Sequence, residues 1–209
     1  MDGIEDPLVP EGGGDPLLLQ HFESALRQRS RGIDPGSVQN TYLREFDIPQ
    51  IVLFDILANR FPLVVEAQLM VSEALAAHCS KNSLVCIIDL GIGRGVQVLK
   101  LLERLDREKG IRKVTVIGIE LIAEALAHTQ KQITGTKRQW HFEVDFHPVL
   151  LPLEKMDADD IQKLIPSRDA FVLVNASLSL HHIQHGDERE ALFKKIASWQ
   201  PGLFTLIEP

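Results

Sequence analysis

The apolar positions of the chain change their period near residue 84. Before it they follow helical spacing. Leu17, Leu18, Leu19, Phe22 and Leu26 fall on one side of a helix from Pro16 to about Ser30. Val64, Val65, Ala67, Leu69, Met70, Leu75 and Ala76 give a helix over 63–80 a broad apolar face. Between them Pro35-Gly36 breaks the chain, and further helices are expected at 37–45 and 48–60. After residue 84, short apolar runs of strand length alternate with amphipathic stretches. The runs predict strands at 84–90, 114–120, 140–146, 170–176 and 203–208. The stretches predict helices from Val96 to about Glu108, over 121–133, and from Asp157 or Asp159 to Leu164. A last helix runs to Trp199, opened by a variant capping box at Asp187-x-x-Glu190.

Repeated strand-helix units with right-handed crossovers give an α/β fold with a doubly wound, mainly parallel sheet of five strands. Residues 1–15, rich in Gly, Pro, Asp and Glu, read as a disordered tail. Residues 16–80 are too few for a rich core of their own. No Gly/Ser/Pro linker separates Ser80 from Leu84, so these helices are expected to cap the 84–209 domain.

Composition narrows the partners. A net charge of −7 argues against a sequence-independent nucleic-acid binder, which needs a basic stripe. The two cysteines, Cys79 and Cys86, have no metal or redox spacing and read as small buried hydrophobes in a reducing cytoplasm. No secretory leader and no bilayer-spanning run is apparent, so no membrane is expected.

The chemistry gathers at strand ends. Strand one runs into Asp89-Leu-Gly91-Ile-Gly93-Arg-Gly95, then a helix. Glycines let the backbone turn sharply and let a ligand approach, and the N–H groups of the helix start face that ligand. A dinucleotide fingerprint places its third glycine one residue later, where Val96 stands, which disfavours a nicotinamide oxidoreductase. The pattern Asp89-x-Gly91-x-Gly93-x-Gly95 instead resembles motif I of class I S-adenosylmethionine-dependent methyltransferases. Asp89 then orients the loop or meets the cofactor's ammonium group. Glu120, ending strand two, is placed to accept both ribose hydroxyls. Asp145, taken as the end of strand three, is placed for the adenine amino group, although Glu143 shares its face. Asn175 and Ser177, ending strand four, can line the cofactor, and His181 or His182 can act as a base near neutral pH. The alternative is one packed and one exposed histidine. His181 and His185 stand four apart, but no third ligand is apparent and no metal site is predicted.

A narrower resemblance rests on four segments in order. They are Phe61-Pro-Leu-Val-Val-Glu-Ala-Gln68, Cys86-Ile-Ile-Asp-Leu-Gly-Ile-Gly-Arg-Gly-Val-Gln97, Leu173-Val-Asn-Ala-Ser-Leu-Ser-Leu-His-His182 and Pro201-Gly-Leu-Phe-Thr-Leu-Ile-Glu-Pro209. Over about residues 45–209 the chain resembles GRAS-domain proteins, known as plant transcriptional regulators with bacterial relatives that look like small-molecule methyltransferases. All three glycines and the strand-two acid are kept, which resembles the bacterial type. The resemblance implies a Rossmann-like methyltransferase sheet, S-adenosylmethionine as cofactor and a small-molecule methyl acceptor. The rival it allows is a non-enzymatic ligand-binding or protein-interaction module. It also implies two further strands forming an antiparallel edge pair after strand five. The sequence stops at Pro209, so that pair is expected to be missing, and the exposed apolar edge would invite a homodimer.

Overall fold

The computed structural model describes residues 19–20, 23–24, 26–27, 30, 50–79, 81–136, 140–183 and 185–208. The chain divides into two compact units, 1–39 and 40–209. In the first, the described residues are helical. The expected tail at 1–15 and helix at 37–45 lie outside the described residues.

In the second unit the order is α1 (Gln50–Arg60), α2 (Pro62–Cys79), β1 (Leu84–Leu90), α3 (Val96–Leu105), β2 (Lys113–Glu120), α4 (Ala123–Thr136), β3 (Glu143–Leu150), α5 (Ala158–Leu164), β4 (Phe171–Ser177), α6 (Gly186–Ser198) and β5 (Leu203–Ile207). Short 3-10 turns at Leu153–Lys155 and Leu180–His182 follow β3 and β4. The strands form one parallel sheet in the order β3-β2-β1-β4-β5. The order reverses between β1 and β4, and the loops after these strands open a crevice there.

β1 is buried on both faces, as a central parallel strand must be. Its alternate residues feed two cores. Val85 and Ile87 pack with Val71, Leu75 and Cys79 of α2 and with the α3 residues Val98, Leu101, Leu102 and Leu105. Cys86, Ile88 and Leu90 pack with Ile161 of α5 and with Leu192 and Ile196 of α6. Helices therefore cover both faces.

Two elements, β3 and α6, depart most from the pattern at their boundaries. β3 starts at Glu143 and runs through Pro148 to Leu150, instead of spanning 140–146. β3 is an edge strand, where the missing N–H of a proline breaks no ladder bond. α6 starts at Gly186 with His185 at its N-cap and no side-chain cap, so the capping box at Asp187 and Glu190 does not form. Asp187 and Glu188 instead sit in the first turn, where a carboxylate meets the positive end of the helix. By contrast, Asp157 caps α5, its side chain accepting from the N–H groups of Asp159 at 2.8 Å and Asp160 at 3.3 Å.

Candidate functional site

The turn after β1 is built from left-handed glycines. Gly91, Gly93 and Gly95 have φ of 80°, 54° and 81°. Two of them are also packed. A Cβ on Gly91 would stand 2.6 Å from Ser179 Cβ, and one on Gly95 would stand 2.8 Å from Thr129 Cγ2. Gly93 differs, since its Cβ would meet only Ile51 Cδ1 at 3.7 Å. Its flank is the open part of the loop. Thr129 of α4 holds the turn by donating to the Gly93 carbonyl at 2.9 Å.

Glu120 closes the loop from the other side. It is 8% exposed at the end of β2. One carboxylate oxygen accepts the Gly93 N–H at 3.0 Å, and the other accepts Leu121 N–H at 2.8 Å and Ile122 N–H at 3.1 Å. A carboxylate has about four lone-pair sites, so acceptor capacity remains.

Asp89 lies in a row of residues paired across the sheet, with Gly118 on one side and Asn175 then Thr205 on the other. Asn175 is fully buried. Its Nδ2 donates to Asp89 Oδ1 at 3.2 Å. Its Oδ1 accepts from Thr205 Oγ1 at 2.9 Å and Gln97 Nε2 at 3.3 Å. Burial pushes the Asp89 carboxyl up to about 7, the Asn175 hydrogen bond opposes this, and the nearby Glu120 charge adds to it.

Two adjoining cavities lie along these residues. The larger, about 100 Å³, is lined by Glu120, by Leu151, Pro152 and Leu153 after β3, by Ser177 at the end of β4, and by Ser179 and His182 after it. The smaller, about 30 Å³, is lined by Asp89, Gly93, Arg94, Gln97 and Gln68. Gly91, Ser177 and Phe54 of α1 border both. Among the described residues, the buried polar atoms on these walls without a hydrogen-bond partner include Ser179 Oγ in the larger cavity and Gln97 Oε1 and Arg94 Nε in the smaller.

The β4 turn presents the histidines. Leu178 has φ of 55°, a left-handed value costly for a branched side chain, and its N–H donates to Ile207 O at 2.7 Å. Glu208, which the sequence reading did not single out, then holds the next three residues. It accepts Ser179 N–H at 3.0 Å, Leu180 N–H at 2.7 Å and His181 Nδ1–H at 2.7 Å. His182 faces the larger cavity, and burial and the adjacent His181 push it down to about 4, so its ring is neutral at pH 7. His181 is on the outer side, its ring centroid 3.9 Å from that of His182.

The structure thus brings Asp89, Gly91, Gly93, Gly95, Glu120, Asn175, Ser177 and His182 together. Asp145 is not among them. Because β3 is shifted along the chain, Asp145 pairs with Thr115 near the start of β2 and bonds Lys113 Nζ at 2.5 Å. It lies at the opposite end of the strands from the glycine turn, and the position expected for it is occupied by Leu151–Leu153. Ser179, Thr129, Glu208, Arg94 and Phe54 were missed. Gln97 was visible only as a residue matching the family segment.

A doubly wound parallel sheet with a crevice at the glycine turn is the class I methyltransferase architecture. DszA carbon methyltransferase has it, with a TM-score of 0.50 at 16% identity over 70% of this chain and 37% of its own. An S-adenosylmethionine-dependent methyltransferase from Clostridium acetobutylicum matches at 16% identity over 74% of this chain and 55% of its own, with a TM-score of 0.48. The plantazolicin methyltransferase BpumL, solved in complex with SAH, matches at 13% identity over 90% and 58%, with a TM-score of 0.43. The chain spans less than two thirds of the length of each. No curated protein matches it. The chain belongs to the GRAS domain family, whose model matches residues 4–209.

Proposed function

We propose that the chain binds S-adenosylmethionine across the two cavities and is a GRAS-type methyltransferase acting on a small molecule. One observation carries this reading: the open left-handed Gly93, with its N–H held by the Glu120 carboxylate at the mouth of the sheet crevice. The residues present fit such a ligand. Ser179 Oγ and Gln97 Oε1 are buried polar atoms still lacking partners. Glu120 has acceptor capacity for ribose hydroxyls. Leu151, Pro152 and Leu153 offer an apolar wall suited to a flat base, in the place where Asp145 was expected.

When bound, the group supplies an electrophilic sulfonium methyl. Everything else falls to the chain. Asp89 receives an ammonium group or stiffens the loop through Asn175. Ser177 and Phe54 border both cavities and join them into one run. His182 presents a neutral ring to the acceptor side, and Glu208 holds the His181 ring through Nδ1. α1 and α2 act as the cap of this cleft. The two free thiols, Cys79 and Cys86, suit a reducing cytoplasm, and no described helix is long and apolar enough to cross a membrane. Self-association through the outer edge of β5 belongs to the same proposal, and sedimentation velocity reads it.

A second reading, a GRAS-type module that binds ligand without transferring a methyl group, draws support from His182, since a ring held near 4 is a weak base. Calorimetry with S-adenosylhomocysteine tests the shared part. Gly93→Val puts a branched side chain on a left-handed residue in the open flank, and should abolish binding while the circular dichroism spectrum is kept. Equal affinity in the two proteins removes the site. Transfer of a labelled methyl group then separates enzyme from module.

A further inference from the structure

Arg94 stands between Gly93 and Gly95, and its side chain lines the smaller cavity. Among the described residues it is the one cationic Lys or Arg side chain lining either cavity, whereas Asp89, Glu120 and Glu154 make the walls acidic. A ligand whose amino-acid end lies beside this loop brings an ammonium and a carboxylate. The ammonium has acidic partners. The carboxylate has Arg94.

In the structure that guanidinium already holds a carboxylate. Arg94 Nε lies 3.1 Å from Asp55 Oδ2, an ion-pair contact without hydrogen-bond geometry, with both side chains 25% exposed. Arg94 Nη2 donates to His128 Nδ1 at 3.1 Å, which aims the guanidinium from the α4 side. Asp55 comes from α1, whose Phe54 lines both cavities and whose Ala58 lines the smaller one. Ala58 is the one buried residue of that helix. Leu53, Ile56 and Leu57 are all at least 38% exposed. The roof is thus lightly packed, and a solvent-accessible ion pair without hydrogen-bond geometry contributes little by itself. One carboxylate can replace another on Arg94 at small cost to the fold.

We infer that Asp55 is an internal stand-in for a ligand α-carboxylate: it keeps α1 on the glycine loop through Arg94, and a bound amino-acid end displaces it. Arg94 is then the carboxylate anchor, and Asp55 is a built-in competitor that sets how tightly an amino-acid-bearing ligand binds. This rests on the cofactor reading above.

The test compares two probes that differ in that end. S-adenosylhomocysteine carries the amino acid, and 5′-methylthioadenosine does not. Asp55→Asn should tighten S-adenosylhomocysteine by about threefold, the middle of the range of such a pair's worth, and leave methylthioadenosine unchanged. Arg94→Gln should weaken S-adenosylhomocysteine and leave methylthioadenosine unchanged. Asp55→Ser is the second variant and should repeat the selective gain, so poor folding of one Asp55 variant leaves the other to decide. The inference is overturned if the Asp55 variants bind S-adenosylhomocysteine no better than wild type, or if both probes shift alike. If no protein binds either probe, the cofactor reading itself falls and the stand-in falls with it.

Discussion

Burial disfavours the charged form of Asp89, and the Asn175 hydrogen bond offsets this only in part, so the carboxyl titrates at about 7 instead of its ordinary 3.8. Between about pH 4 and 7 the folded protein holds a proton that the unfolded chain has lost. Stability therefore falls as pH rises through that window and is level above it. Asp89→Asn should gain on wild type across it, by on the order of 4 kcal/mol between pH 4 and pH 8. Urea unfolding at the two pH values measures this, and parallel curves would mean that Asp89 does not titrate there. His182 acts in the opposite sense. Its depressed value, about 4 against 6.5, gives stability that is present above 6.5 and lost as pH falls through 4. Glu120→Ala strands the N–H groups of Gly93, Leu121 and Ile122. It should cost about 2–4 kcal/mol, given that hydrogen bonds to charged groups contribute about 1.5–3 kcal/mol. An unchanged thermal melt would show that those bonds are absent in solution. At this scale Asp89, Glu120 and the glycines were legible because strand ends and left-handed turns restrict residue type. Glu208 with His181, and Asp55 with Arg94, were not, because each pair joins residues from distant elements whose meeting depends on the finished fold.

Among the elements, the glycine turn is the least tolerant of change. Gly95 combines φ of 81° with a Cβ position 2.8 Å from Thr129 Cγ2, and Thr129 in turn holds the Gly93 carbonyl. Gly95→Ala should destabilise by about 1–3 kcal/mol through left-handed strain and the clash, and weaken ligand binding along with it. A variant as stable as wild type would mean that the turn can relax, which its packing against α4 argues against. Strand and helix periods were read correctly where the apolar pattern is continuous, as in β1 and β2. They failed at β3. Trp140-His-Phe-Glu-Val-Asp alternates like a strand, so the expected strand spans 140–146. The ladder instead begins at Glu143 and passes through Pro148, which an edge position permits. That shift, from the sheet's edge and not from the local sequence, took Asp145 away from the site. Likewise, Asp187 was expected to cap α6 but lies in its first turn.

For the whole molecule, α2 is part of the sheet's core. Val71, Leu75 and Cys79 are buried against β1 and α3, with Leu75 and Cys79 at 0% exposure. A chain starting at Asn82 would leave that face of α3 and the sheet open to water, and each large side chain so exposed costs about 1.5–3 kcal/mol. It should aggregate or melt without cooperativity, and a soluble 82–209 protein with a sharp calorimetric transition would contradict this packing. The central claim is that one ligand lies along the glycine turn, the end of β2 and the loop after β3. Backbone amide NMR during titration with S-adenosylhomocysteine tests it most directly. The account predicts saturable shifts at Gly91–Gly95, Leu121–Ile122 and Leu151–Leu153, with the amides of α5 and the outer face of α6 unmoved. Saturation with no shift at Gly93 and Leu121, or shifts confined to another face of the sheet, would contradict it.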